Sequence, residues 1–321
     1  MVPGVLSQSE VQTCLSLTWD WLESLGSGLE RSDPATWTDN NWPGEFSSGI
    51  TVQCGSNQQP SLWYIRGHQG VQQVFSTIWS VQPSDLITSM DGMLIWRHKA
   101  DGSASPASGL NLHVDQDPFT KTGLQCVQGM VPFLDVTKDI GGLKLVPRTH
   151  SDEIQEQIRK EYLARGKPLP GKDFVKVEDA KYDPEAIVVE AKAGDLILWD
   201  SRVIHGSRVG PATLQPAGGV GGVGGDGGVG GAGGGGGDGS DGGVGGGLAR
   251  CTGLVCMTPR ARASQEVHLK REAAFQCGGG FTHWPHEAVS SVLKNTDGRN
   301  IIWTSGQYKP LTLNTQQRRV F

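Results

Sequence analysis

Asn111-Leu112-His113-Val114-Asp115-Gln116-Asp117-Pro118, read with Gly194-Asp195-Leu196-Ile197-Leu198-Trp199-Asp200-Ser201-Arg202-Val203-Ile204-His205-Gly206, decides what this chain is. Side chains on a strand alternate, so an H-x-D placed on one puts His113 and Asp115 on the same side. Leu196 to Trp199 reads as a buried strand leading to His205, which must join them from a different strand. Two imidazoles and one carboxylate can cover one face of an octahedral metal and leave three positions open, the arrangement of non-haem Fe(II) oxygenases. H-x-D alone is common by chance. Its combination with a later G-D-L-x-L-x-D-S-x-x-x-H-G is far more specific. Asp117 offers a second carboxylate, but Pro118 turns the chain away directly after it, so Asp115 is the expected ligand.

Around these motifs the chain has the texture of short strands: Leu86 to Thr88, Met93 to Trp96, Leu124 to Phe133, Leu143 to Val146 and Ile187 to Val189, with turn residues between them. Many short strands of this kind suggest an antiparallel barrel or a jelly roll. Helices flank them. Val11, Leu15, Trp19 and Leu22 carry a helical rhythm over Gln8 to Leu25, with Ser7 as N-cap and Gly26 as stop. Val71 to Trp79 reads as a second helix, and Ile154 to Arg165 as a polar helix inserted between strands. Residues 31–61, rich in Trp, Pro, Asn, Gly and Ser, read as an ordered but irregular loop.

Residues 217–247 are of another kind: 21 of the 31 are glycine, with only Val, Ala, Asp and Ser among them. They offer too little surface to bury, so the expectation is a disordered insertion in a single domain spanning 1–321. A phosphate-binding loop is short and opens a helix with Lys-Ser/Thr, which is absent here.

The whole-chain properties exclude several classes. With 321 residues, 36% hydrophobic content and ten Trp, the chain has the composition of a folded protein with a substantial core. A formal charge of -5 argues against a nucleic-acid partner held through phosphates. No apolar run approaches a membrane span. The first basic residue is Arg31, so the start lacks the charge of a signal or transit peptide, and a cytoplasmic location is the default. Six cysteines show no C-x-x-C pair and are expected as reduced thiols, with Cys126 a small buried residue in a strand.

The chain resembles the phytanoyl-CoA dioxygenase family of Fe(II)- and 2-oxoglutarate-dependent oxygenases. The resemblance starts at Val2-Pro3-Gly4-Val5-Leu6-Ser7 with Glu10, inside the first motif, so a few residues of a first strand are expected to precede it. It continues through Ser89-Met90-Asp91-Gly92, His113-Val114-Asp115-Gln116, Gln125-Cys126-Val127-Gln128-Gly129 and Gly141-Gly142-Leu143-Lys144-Leu145-Val146-Pro147-Arg148-Thr149-His150. Ala193 to Ser201, His205-Gly206, Leu269 to Phe275 and Thr282-His283-Trp284-Pro285 complete it. It covers nearly the whole chain except the glycine tract. Where the family usually shows Pro-Gly-Ser-His, Arg148 is a departure.

The resemblance implies a double-stranded β-helix, a jelly-roll or cupin-like fold that is mainly β with flanking helices. It also implies His113, Asp115 and His205 as ligands of Fe(II), with 2-oxoglutarate chelating the metal and O2 taking the last position. Decarboxylation to succinate and CO2 then drives oxidation of a substrate. Related halogenases carry a small residue where Asp115 stands, so the carboxylate argues for hydroxylation. In the family an Arg on the strand after the distal His holds the far carboxylate of 2-oxoglutarate, a task suited to a guanidinium fork. The glycine tract falls in that interval, and setting it aside brings Arg250 into register. Arg208 is the alternative; Arg260 and Arg262 lie too far on. Ser207 matches a family position that hydrogen-bonds the cosubstrate, although an ordinary turn serine accounts for it equally.

The remaining histidines have plainer readings. His150 orders a turn. His283 and His286 form H-x-x-H with Trp and Pro between, which no regular helix accommodates, so packing or capping is expected. His68 and His268 are expected exposed. His98 is left open, and the strand Met93 to Arg97 can bring Trp96 or Arg97 to substrate or cosubstrate. Trp199 is expected in the core, and the segment around Trp37, Trp42 and Trp63 is placed as a lid by position alone. The expected activity is hydroxylation of a small or lipid-like molecule. The alternatives are a protein or nucleobase substrate, a metal-storing cupin, and a catalytically silent metal-binding or scaffold module.

Overall fold

Short apolar runs become short strands. The computed structural model of the protein describes residues 1–44, 48–99, 103–166, 168–214, 247–289 and 308–321. All of the 217–247 segment except Gly247 lies outside them. The described strands are β1 Ile50–Thr51, β2 Leu86–Thr88, β3 Met93–His98, β4 Ala104–Ser105, β5 His113–Val114, β6 Val127–Pro132 and β7 Gly141–Leu145. They continue with β8 Val175–Lys176, β9 Ile187–Val188, β10 Ile197–Asp200, β11 His205–Val209, β12 Leu248–Leu254 and β13 Met257–Pro259.

One sheet runs β1-β3-β12-β6-β10 with β4 on the flank of β3, and the second runs β8-β5-β11-β7-β9. The named pairings are all antiparallel. This is a double-stranded β-helix with flanking helices. The chain changes sheets at a corner after Asp200: β10 belongs to the first sheet and β11 to the second. The strand Leu196 to Trp199 therefore does not continue into His205 but delivers the chain to the corner that precedes it.

Alternation along the first sheet sorts its residues. Leu94, Gln128, Met130, Arg250 and Leu254 line the space between the sheets. Ile95, Val131 and Cys251 are buried in the other direction, in a core shared with Leu15, Trp19, Leu22 and Leu62. These last side chains come from helices α1 Gln8–Ser24 and α2 Pro60–Gly67. Helix α1 opens on a reciprocal capping box between Ser7 and Glu10. It stops at Leu25, where Gly26 takes the left-handed conformation (φ 67°) that follows many helix ends. Each large apolar side chain so buried contributes roughly 1.5–3 kcal/mol.

Trp37 and Trp42 belong to this core, 1% and 2% exposed, and pack on Trp19 with ring centroids 5.1 and 6.4 Å away. Trp63, fully buried, meets Phe275 edge-on at 5.6 Å. The three tryptophans form no lid. Indole burial explains why: each brings a large apolar area that a loop cannot leave in water. The six cysteines are free thiols, and Cys126 is buried as expected. Helix α3 Gln69–Trp79 and the polar helix Asp152–Ala164 lie where the sequence places them. No helix among the described residues is long and apolar enough to cross a membrane.

Candidate metal centre

The second sheet sets His205 on β11 directly opposite His113 on β5. Gly206 permits the approach, since a Cβ there would stand 2.4 Å from the Leu110 carbonyl oxygen. Both rings have Nδ1 beside the carbonyl two residues back, His113 to Asn111 at 2.8 Å and His205 to Val203 at 2.9 Å. A carbonyl only accepts, so Nδ1 carries the proton, and in the neutral ring each Nε2 presents a lone pair inward. Asp115 stands one residue beyond the end of β5. Its Oδ1 lies 3.4 Å from His113 Nε2 and its Oδ2 3.2 Å from His205 Nε2. One ligand atom from each of the three lies within 4.8 Å of the others. Adjacent donors about 2.1 Å from an octahedral first-row ion stand about 3 Å apart, so the spacing fits such an ion.

The electrostatics fit as well. Burial pushes the Asp115 carboxyl up, but the imidazoles of His113, His205 and His283 overcome it and hold the group well below the usual range. Burial, with His113 close by, lowers His205. A charged carboxylate and neutral imidazole are the forms that bind a cation.

Behind the triad opens a cavity of about 510 Å³ shared with Ser207 and Arg250. Arg250 lies on β12 opposite Trp96, after a one-residue slip in the pairing with β3. Its guanidinium sits 4.7 Å from the Trp96 ring centroid and is 1% exposed. Among the described residues Nε and Nη1 have no partner, and Nη2 reaches only the Met130 sulfur at 3.4 Å. Burial drops its pKa to about 10. A buried cation without an anion is costly, and its donors are directed where a carboxylate would satisfy them. The residues therefore fit both a divalent ion and an anionic chelator. Ser207 Oγ accepts the Leu110 N–H at 2.8 Å, which leaves its proton to donate.

Several candidates lie elsewhere. Arg208 turns to Asp183 at 3.6 Å and is half exposed. Arg260 and Arg262 bond the carbonyls of Leu86 and Gln125. Asp117 caps a local turn, accepting from the Phe119 N–H and Thr120 hydroxyl. Arg97 alternates to the face away from the cavity, where it pairs with Asp39 at 2.8 Å over the Trp42 ring. His68 is not exposed; it bonds Glu10 at 3.1 Å. His268 is half-buried as well. Trp199 is buried, yet it also walls the cavity 5.5 Å from the His205 ring.

Among the cavity residues that escaped the sequence reading are Gln128, which donates to Asp115 Oδ2 at 3.0 Å, Asp91, and His283, whose Nε2 lies 3.2 Å from the Asp115 carbonyl oxygen. Gln128 had a signal, being polar at an inward position of an apolar strand. For His283 the H-x-x-H spacing pointed to packing or capping.

Residues 57–209 match the model of the phytanoyl-CoA dioxygenase (PhyH) family. With the His-Asp-His set, that match makes the chain an Fe(II)- and 2-oxoglutarate-dependent oxygenase. Ava biosynthesis cluster protein O of Aspergillus versicolor is similar over 309 residues at 25% identity, covering 92% of this chain and 86% of that protein. A solved structure from Salmonella typhimurium LT2 shares the fold, with a TM-score of 0.50, 15% identity, and coverage of 89% and 73% of the two chains. The epimerase SnoN, solved with Fe3+, alpha ketoglutarate and nogalamycin RO, has a TM-score of 0.44 at 15% identity over 80% of this chain and 77% of its own.

Proposed function

We propose that this oxygenase hydroxylates a small or lipid-like organic molecule and converts 2-oxoglutarate to succinate and CO2. His113, Asp115 and His205 would hold the iron, and Arg250 with Ser207 would hold the cosubstrate. The observation that carries this reading is the convergence of three inward donors and an unpaired buried guanidinium on one cavity. Residues 1–321 are read as one domain interrupted at 217–247.

Bound there, iron and 2-oxoglutarate supply the activation of O2 and the oxidation of a C–H bond. The chain does the rest. The Asn111 and Val203 carbonyls keep both ring lone pairs inward, and Gln128 steadies the carboxylate. Arg250, itself buried, neutralises and orients an anion. Ile50, Leu94, Leu110, Leu143, Phe174 and Leu254 give the cavity an apolar wall suited to an apolar substrate. The Aspergillus relative is named for a biosynthesis cluster, which favours a small molecule.

The test is an anaerobic titration of the full chain with Fe(II) and 2-oxoglutarate, following the weak visible charge-transfer band of the chelate. The band is expected in the wild type, absent in His113→Ala and weakened in Arg250→Ala. Iron binding without a band would overturn the oxoglutarate half and leave a metal-binding module.

A further inference from the structure

We propose that His283 is a positioning residue for Asp115, fixing its backbone so that the carboxylate stands ready between the two imidazoles. This inference rests on the metal-site reading above. Asp115 has left β5 and has no ladder partner to hold it. Its N–H donates to the Ser201 carbonyl at 3.0 Å, and its Oδ2 accepts from Gln128 at 3.0 Å. The remaining polar group, the carbonyl, faces His283 Nε2 at 3.2 Å. A carbonyl cannot donate, so His283 must carry a proton on Nε2 whatever its charge. With that bond each polar end of the residue is held.

His283 is itself anchored, as such a role requires. Phe281 N–H donates to the Met90 carbonyl at 2.9 Å, and Thr282 N–H to the Val289 carbonyl at 3.0 Å. Trp284, 1% exposed, packs against Cys126 and Cys256. The Lys121 ammonium lies 3.6 Å from the Trp284 ring centroid and pairs with Glu287 at 2.7 Å and Asp173 at 2.9 Å. The segment lies beyond residues 57–209, the stretch that matches the family model. The centre is thus completed by a piece of chain distant in sequence from every expected ligand.

Co(II), titrated into the full-length protein without oxygen or substrate, reads this through its visible spectrum. His283→Leu is expected to bind Co(II) at least about 10-fold more weakly, with a changed spectrum, as is usual when a partner of a metal ligand is lost. His283→Gln, whose amide can donate to the same carbonyl, should recover affinity to within about threefold of wild type. Wild-type affinity and spectrum in His283→Leu would overturn the proposal, and so would a loss that Gln does not repair, which belongs to packing. A wild type that takes up no Co(II) would overturn the metal-site reading itself. Should His283→Leu not fold, ¹⁵N NMR of the imidazoles in the metal-free wild type decides. A proton on Nε2 is required, and the neutral Nδ1–H tautomer excludes the bond.

Discussion

In its proposed role Arg250 sets function against stability. Burying a guanidinium with two unanswered nitrogens destabilises the unliganded chain, and an arriving carboxylate would answer them. Arg250→Met keeps the volume, suits the neighbouring Met130 sulfur and removes the stranded charge. Its unfolding midpoint without ligand is expected to rise, in line with the roughly 1–4 kcal/mol gained when buried ionic groups are replaced by apolar ones. Its 2-oxoglutarate affinity, measured by calorimetry with Fe(II) replaced by Zn(II), should fall about 100-fold or more. A variant that loses stability and keeps affinity would remove Arg250 from the cosubstrate site. At this scale the sequence was legible where chemistry constrains residue type: His113, Asp115, His205 and Arg250 share one cavity. It was not legible for Arg97 and Trp96, where a one-residue change of phase decides which side chain faces inward. Arg148 shows the reverse case, since its φ of 66° explains why the position favours glycine.

Among the elements, the opposition of His113 and His205 depends on the register of β5 with β11, and register could not be read from either strand by itself. Period-two alternation accounts for the inward Gln128 and Met130 of β6 and Arg250 and Leu254 of β12, of which only Arg250 was read from the sequence. It failed for the expected lid, because an aromatic-rich loop does not declare whether its rings face solvent or core. Helix α1 was readable to its caps, and its capping box yields a pH dependence. Bonds from the Ser7 N–H and hydroxyl, assisted by His68, hold the Glu10 carboxyl down at about 2. An unfolded glutamate titrates near 4.3, so the folded value is depressed. The bonus is therefore complete above about 4.3 and lost as pH falls through about 2. Glu10→Gln should match the wild type at the acid end of that window and trail it above the window. The gap in urea unfolding free energy should reach at most about 1 kcal/mol, because the box is exposed to solvent. A gap independent of pH would assign the loss to shape rather than charge.

For the whole molecule, the question is how the fold carries 217–247 between the metal histidine and Arg250. The helix Pro211–Leu214 packs against β3, and β3 is also the ladder neighbour of β12, so the chain leaves and re-enters at one side of the first sheet. A short connection can therefore span the interval. Deleting residues 220–243 leaves about ten residues there and changes loop-closure entropy by only about 1 kcal/mol. Gly247 has to stay: its φ is 91°, and a Cβ would stand 2.4 Å from the Trp37 ring. The deletion is expected to unfold within a few degrees of the parent and to bind 2-oxoglutarate within about twofold, measured by melting and calorimetry on matched samples. Gly247→Val, one residue from β12, should instead disturb the Trp37 core and weaken that binding. If the deletion abolished cosubstrate binding while the metal was still taken up, the glycine tract would be part of the site, and the reading of 1–321 as a plain domain with a passive insertion would fail.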